Sequence, residues 1–193
     1  MPAAAMPFPD ATPTETQRIA RGLRQKDAAL IGELVERYQY RLVRYLIYLT
    51  GRSDNVEDLV QETWLRVLAR GNQYEERSRF EAWLFSIARN LAMDGGRRRQ
   101  RERLAEPDGR TPAPDTASPF LAAAKGEDAV RLAAALARLE PACREALLLR
   151  FQEDLSLQEI AGIVGAPVST VSSRIYRGLA LLRSHWKGGS NAL

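Results

Sequence analysis

The chain has 193 residues, 27% of them charged, with 28 Lys and Arg against 24 Asp and Glu, giving a net charge of +4 and a pI near 9.5. That length holds one ordinary domain or two small ones, and no stretch is apolar for long enough to span a bilayer. One cysteine, Cys143, and one histidine, His185, exclude an intramolecular disulfide and a Cys/His zinc site, so Cys143 is expected to pack as a small apolar residue and His185 to lie at the surface.

Residues 1–13, rich in Pro and Ala, lack the basic start and apolar core of a secretion signal; they are expected to form a disordered tail on a cytoplasmic protein. A helical block follows over residues 14–103. Asp27 to Thr50 carries Leu30, Leu34, Tyr38, Leu42, Leu46 and Leu49 at helical spacing, and Gly51 fits the end. Asp54 with Glu57 forms a capping signal for a second helix with Val56, Leu59, Val60, Trp64, Val67 and Leu68 inward, ending at Gly71. Its outer face, Glu57, Asp58, Gln61 and Glu62, is acidic and polar; by itself it reads first as a solvated face, and as a binding face it suits a basic protein groove better than DNA. Ser78 with Glu81 repeats the capping pattern ahead of Phe80, Trp83, Leu84, Ile87, Ala88 and Leu91, expected to pack inward. This helix runs into Gly95-Gly96 and an arginine cluster, Arg97, Arg98, Arg99, Arg101 and Arg103, which reads equally as a solvated tail or a phosphate-binding patch.

Residues 104–126 hold Pro107, Pro112, Pro114 and Pro119 with no sustained apolar period, and read as a linker. A second helical block spans 127–187, with a short tail at 188–193. Its most informative stretch is SLQEIAGIVGAPVSTVSSRIYRGLALLR, from Ser156 to Arg183. Leu157, Ile160, Ala161 and Val164 make one stripe behind a Ser156/Glu159 capping box, and Gly165-Ala166-Pro167 forces a turn. Val168, Val171, Ile175, Leu179 and Leu182 then make a second stripe, leaving Ser169, Ser173, Tyr176 and Arg177 outward, with Thr170 and Ser172 beside them. This is a helix-turn-helix pattern. All three acids of residues 153–187 precede the turn, whereas Arg174, Arg177, Arg183 and Lys187 follow it. Short hydroxyl side chains let a helix approach the major groove, and arginines reach phosphates or guanine edges. Of the 28 basic residues all but three are arginine, which suits forked contacts, although genomic compositional bias explains that preference equally well. The expected architecture is all-α: two small helical domains joined by a flexible Pro-rich linker, the second containing the helix-turn-helix. No GxSxG, HExxH, GxGxxG or P-loop motif is present, so no enzymatic activity, catalytic residue, cofactor or metal is expected.

Three segments in this order, EDLVQETWLRVL (57–68), FEAWLFSIARNLAMD (80–94) and LEPACREALLLRFQEDLSLQEIAGIVGAPVSTVSSRIYR (139–177), resemble bacterial sigma factors of the sigma-70 family, in the two-domain extracytoplasmic-function (ECF) type. The resemblance implies a dissociable subunit of RNA polymerase that directs promoter-specific transcription initiation and helps open the DNA. It implies a sigma region 2 domain at 14–103, which binds core polymerase and the minus-ten element, and a region 4 domain at 127–187, which binds the minus-thirty-five element. Asp58, Leu59, Gln61 and Glu62 would dock on the coiled-coil of the largest polymerase subunit. Tyr74 and Asn90 would form a pocket for a flipped base, with Asn72, Arg79 and Arg89 nearby and Arg97 and Arg98 on upstream phosphates. Ser169, Thr170, Ser172, Ser173, Arg174, Tyr176 and Arg177 would read the minus-thirty-five element, with Arg150 on a phosphate. Core RNA polymerase, promoter DNA and an anti-sigma factor are the implied partners, without membrane insertion. Two departures stand out: Ser172 replaces a common Lys or Arg, and Gly95-Gly96 is expected to loosen the arginine cluster. The alternative is a helix-turn-helix regulator that binds duplex operator DNA independently of polymerase.

Overall fold

A computed structural model describes residues 13–51, 54–76, 78–105 and 126–188. The expected N-terminal tail, the central part of the linker, the last residues and the His185 side chain lie outside what is described. The described residues form helices and no strand: α1 (Pro13–Gln25), α2 (Ala28–Thr50), α3 (Val56–Arg70), a 3-10 turn (Gly71–Gln73), α4 (Phe80–Ala105), α5 (Glu127–Ala137), α6 (Pro141–Phe151), α7 (Leu157–Val164) and α8 (Val168–Gly188).

Local chemistry sets most boundaries. Asp27 caps α2 by accepting from the backbone N–H of Ala29 (2.9 Å) and Leu30 (3.3 Å), and Gly51 closes it in the left-handed conformation, φ 66°. Leu30, Leu34, Tyr38, Leu42 and Leu46 are buried along the stripe, and Tyr45 and Tyr48 widen it. Ser156 and Glu159 form the full capping box on α7, and Gly165 turns left-handed at φ 64°, a conformation that L side chains rarely adopt. Helix α6 is buried at Cys143 and at every position from Glu145 to Leu149, on all sides, which places it between α8 and the N-terminal helices. Burial also raises the Cys143 thiol pKa, in keeping with a packing role.

Several expected details differ. The cap of α3 is Asn55, which makes no side-chain capping bond, instead of Asp54. Gly71 does not stop α3 with a left-handed turn. It enters the 3-10 turn with ordinary right-handed angles, and a Cβ there would lie 3.0 Å from the Leu23 carbonyl oxygen, so its role is close approach to α1. Helix α4 begins at Phe80, and the Glu81 carboxylate takes the Tyr38 hydroxyl at 2.9 Å and Arg79 at 3.2 Å. Helix α4 continues through Gly95-Gly96 to Ala105, so the arginine cluster is helical: tertiary anchoring upstream propagates the ladder past a pair of glycines that disfavours it by about 1 kcal/mol each. Val168, expected inward, is 41% exposed, because the first turn of α8 overhangs the core that Val171 and Ile175 enter. The linker boundary at 103/104 correspondingly moves to 105.

The halves share one apolar core, which runs from Leu23 and Leu34 through Phe85 and Ala88 to Leu149, Ile160 and Val171. The principal seam between them is α7 lying along α4, supplemented by α6 against α2.

Candidate nucleic-acid interface

On α8 the residues expected to read DNA form one polar face. Ser169, Ser173, Tyr176 and Arg177 are exposed, while Thr170, Ser172 and Arg174 are half-buried at its edge. Tyr176 is 72% exposed. Arg177 makes only a loose, exposed ion pair with Glu140 at 3.6 Å, so it can be redirected at little cost. The face is held at a defined height because Gly178 lets α8 sit against α6: a Cβ there would meet Leu147 Cδ1 at 2.7 Å. Arg150 Nη1 donates to the Leu155 carbonyl at 2.9 Å and so ties α6 to the loop before α7. The geometry gives Arg150 a role in positioning the motif.

On α3, Asp58 and Gln61 are exposed, and Leu59 and Glu62 are half-buried. Leu65 (52%) and Leu68 (37%) continue this surface as apolar patches. Leu68, expected inward, is thus exposed, and carboxylates lie beside exposed leucines on this face.

The residues expected around a flipped base do not converge. Asn72 and Asn90 are exposed. Tyr74, by contrast, is 1% exposed, its hydroxyl donating to the Ser78 carbonyl at 2.8 Å. Its ring meets Trp83 at 5.2 Å and Phe80 at 5.8 Å, and Phe80 meets Tyr38 at 5.4 Å, so the four rings form one packed cluster. Tyr74 is therefore a core residue in this structure, for the same reason that Phe80 is: an aromatic packed at the start of α4 gains more from packing than from water. Arg97 and Arg98 project from the exposed part of α4.

Arg79 and Arg89 are occupied by the C-terminal half. Arg89 Nε donates to Glu145 at 2.8 Å, and Arg79 Nη1 to the Asp154 carbonyl at 2.8 Å. Burial works against the Arg79 guanidinium, but Glu81 and Glu159 outweigh it and raise its pKa. Five residues outside the expected site complete this network: Arg41 and Arg44 bind Glu153 at 2.7 and 2.9 Å, and the Tyr45 hydroxyl donates to Glu145 at 2.9 Å. Burial, then Glu145, pushes the Tyr45 hydroxyl well above its ordinary pKa, so it stays a donor. The available signal was Glu145 itself, an acid next to the apolar run Ala146 to Leu149. Among the described residues no group of His, Cys, Asp and Glu is arranged to hold a metal, and no helix is long and apolar enough to cross a membrane.

The arrangement is that of an all-helical, two-part protein carrying a basic helix-turn-helix and an acidic, partly apolar outer face on α3. The Sigma-70 region 2 profile matches residues 34–102, and the Sigma-70 region 4 profile matches residues 129–182. The chain is 39% identical over 158 residues to the ECF RNA polymerase sigma factor SigE of Mycolicibacterium smegmatis, covering 79% of this chain and 60% of that protein's length. It is 38% identical to the ECF sigma factor EcfG of Rhodopseudomonas palustris, covering 69% of this chain and 72% of that one. Among solved structures, the sigma factor RpoE in complex with the anti-sigma factor NepR from Bartonella quintana is similar, at 27% identity and a TM-score of 0.64 over 81% of this chain and 96% of that one. The chain belongs to the ECF sigma factors of the sigma-70 family.

Proposed function

We propose that this chain binds core RNA polymerase and directs it to promoters, with region 2 recognising and helping to melt the minus-ten element and region 4 reading the minus-thirty-five element. The observation that carries the reading is the order of the two matched regions combined with the exposed serine, threonine, tyrosine and arginine face of α8. Asp58, Gln61 and Glu62 with the exposed leucines of α3 dock on a basic helical surface of the polymerase; Asn72, Asn90, Arg79, Arg89, Arg97 and Arg98 meet the opened strand and its upstream phosphates. Asn72 and Asn90, exposed and amide-bearing, carry the base contacts in this scheme, and Tyr74 supports them from below. No enzymatic role is proposed. The complex of the RpoE relative with its anti-sigma factor supports a protein inhibitor of this chain as well.

Run-off transcription with purified core polymerase lacking any other sigma factor, on a library of genomic promoters, tests the proposal. Site-selective transcripts are expected only when the chain is added, and their absence on every template overturns it. Asp58→Lys with Gln61→Lys is expected to abolish co-purification with core while the circular dichroism spectrum stays unchanged. Retained co-purification would remove α3 from the docking role.

A further inference from the structure

We infer that α1 is a positioning bracket for the loop over residues 71–76: Thr16, Leu23 and Arg24 fix that loop so that the Asn72 amide is presented in one orientation to the opened minus-ten strand. The DNA half of this inference rests on the base contact proposed for Asn72. Helix α1 lies ahead of residues 34–102, the segment that matches the region 2 profile, so the family resemblance by itself assigns it no role.

At 13 residues α1 is marginal as an isolated helix, and two neighbouring faces seat it. On one face Glu15, Arg18 and Gly22, spaced i, i+3 and i+7, meet α2. Arg18 makes a forked pair with Glu33 at 2.8 and 2.7 Å, Glu15 pairs with Arg37, and a Cβ on Gly22 would lie 2.2 Å from Leu30 Cδ2. Ile19, Ala20 and Leu23 are buried beside them. On the other face Thr16, Leu23 and Arg24, spaced i, i+7 and i+8, meet the loop. A Cβ on Gly71 would come to 3.0 Å from both the Leu23 Cβ and its carbonyl oxygen, Arg24 Nη2 pairs with Glu76 at 3.2 Å, and the Thr16 hydroxyl donates to that of Tyr74. The Arg24 pair is exposed and contributes little alone, so the close approach at Gly71 sets the distance.

The loop is thereby gripped on two sides. Gly71 is buried against α1 and Tyr74 in the aromatic cluster with Phe80 and Trp83, while Asn72 and Gln73 between them are exposed. A single 3-10 turn has little internal hydrogen bonding to hold its shape, and the bond that closes this one, from the Tyr74 N–H to the Gly71 carbonyl, is long at 3.3 Å. Its orientation is therefore set by what it rests on. A side chain already held in its binding orientation loses less freedom on binding, and it cannot readjust to a base that does not match. Rigid seating of the turn on α1 thus acts on base preference and not only on affinity.

The test uses the full chain. Amide hydrogen exchange is read by mass spectrometry over residues 71–76. Run-off transcription with purified core polymerase is read on a matched promoter and on copies carrying single-base changes in either element. Gly71→Ala crowds Leu23 without backbone strain, because the Gly71 angles are right-handed, and Thr16→Val with Arg24→Gln removes the polar contacts. Both variants are expected to speed exchange of the loop while α2 and α8 stay protected. Both are also expected to lower the preference for the matched minus-ten sequence by up to about tenfold, with the minus-thirty-five preference unchanged. General loss of folded protein would instead lower transcription from every template alike and leave that preference intact. If one variant loses its helical dichroism, the other decides. Loop exchange as slow as in the wild type, in every variant that folds, overturns the bracket. Faster exchange with an undisturbed minus-ten preference, or with both preferences lowered together, overturns the positioning role. A wild type that gives no site-selective transcript sinks the sigma-factor reading, and exchange still decides whether α1 holds the loop.

Discussion

Glu81 joins three groups at the junction of α2 and α4: Tyr38, Arg79 and its own backbone N–H. Burial alone would raise its carboxyl pKa, but the backbone N–H, the Arg79 guanidinium and the Tyr38 hydroxyl together hold it below the ordinary 4.5. A lowered folded pKa means that the folded state favours the ionised carboxylate. Its contribution to stability is therefore complete above 4.5 and is lost as pH falls through the lowered value. Glu81→Gln keeps the shape and removes the titration, so between neutrality and about pH 3 the thermal midpoint of the variant is expected to fall less steeply than that of the wild type. Parallel slopes would show that other carboxylates carry the acid limb. The same contact pushes the Tyr38 hydroxyl up to about 12, burial being the main cause, so Tyr38 remains a donor to Glu81 throughout the working range.

Helix α7 has only eight residues, too few to persist without end caps and packing. Its capping box satisfies two backbone N–H groups at one end, Gly165 closes the other, and Ile160 and Ile163 anchor the middle. Ser156→Ala is expected to lower stability by about 1 kcal/mol in chemical denaturation, and Ser156→Asp to retain most of it. A loss well below that for the alanine variant would mean that burial against α4 and α8 holds α7 with no need of its cap. Helix α4 is the opposite case. Its 26 residues run from the aromatic cluster through two glycines to the arginine cluster, so the arginines are carried on a rod that extends the packed half. The cluster is therefore presented as an array with helical spacing, whose direction is set by rotation of the whole helix.

At the scale of the whole molecule, charge is divided by element: acids lie on the outer face of α3 and at the seam on α6 and the following loop, while the charged residues of α8 are all basic. Arg174→Glu with Arg177→Glu is expected to abolish promoter-specific transcription on templates that need the upstream element while leaving core association intact, as run-off assay and co-purification would show. The remaining DNA binding should also lose part of its salt dependence, because fewer phosphates are neutralised. Unchanged transcription would mean that the chain works at promoters through region 2 alone.

What could be read from residue order was whatever depends on local periodicity and capping. The stripe from Leu30 to Leu46, the Ser156/Glu159 box, the Gly165 turn and the polar face of α8 are all properties of a few consecutive residues, and so is the family resemblance carried by segments 57–68, 80–94 and 139–177. Tertiary structure decided whatever depends on which surfaces meet. Tyr74 has the same chemistry in a base pocket and in an aromatic cluster, and only the neighbouring Phe80 and Trp83 place it in the core. Gly95-Gly96 reads as a break locally, yet α4 is continuous because packing upstream outweighs propensity. Glu145 and Glu153 find their partners far along the chain, at separations of 56 residues for Arg89, 100 for Tyr45 and 112 for Arg41, and no local pattern encodes a pairing across such distances.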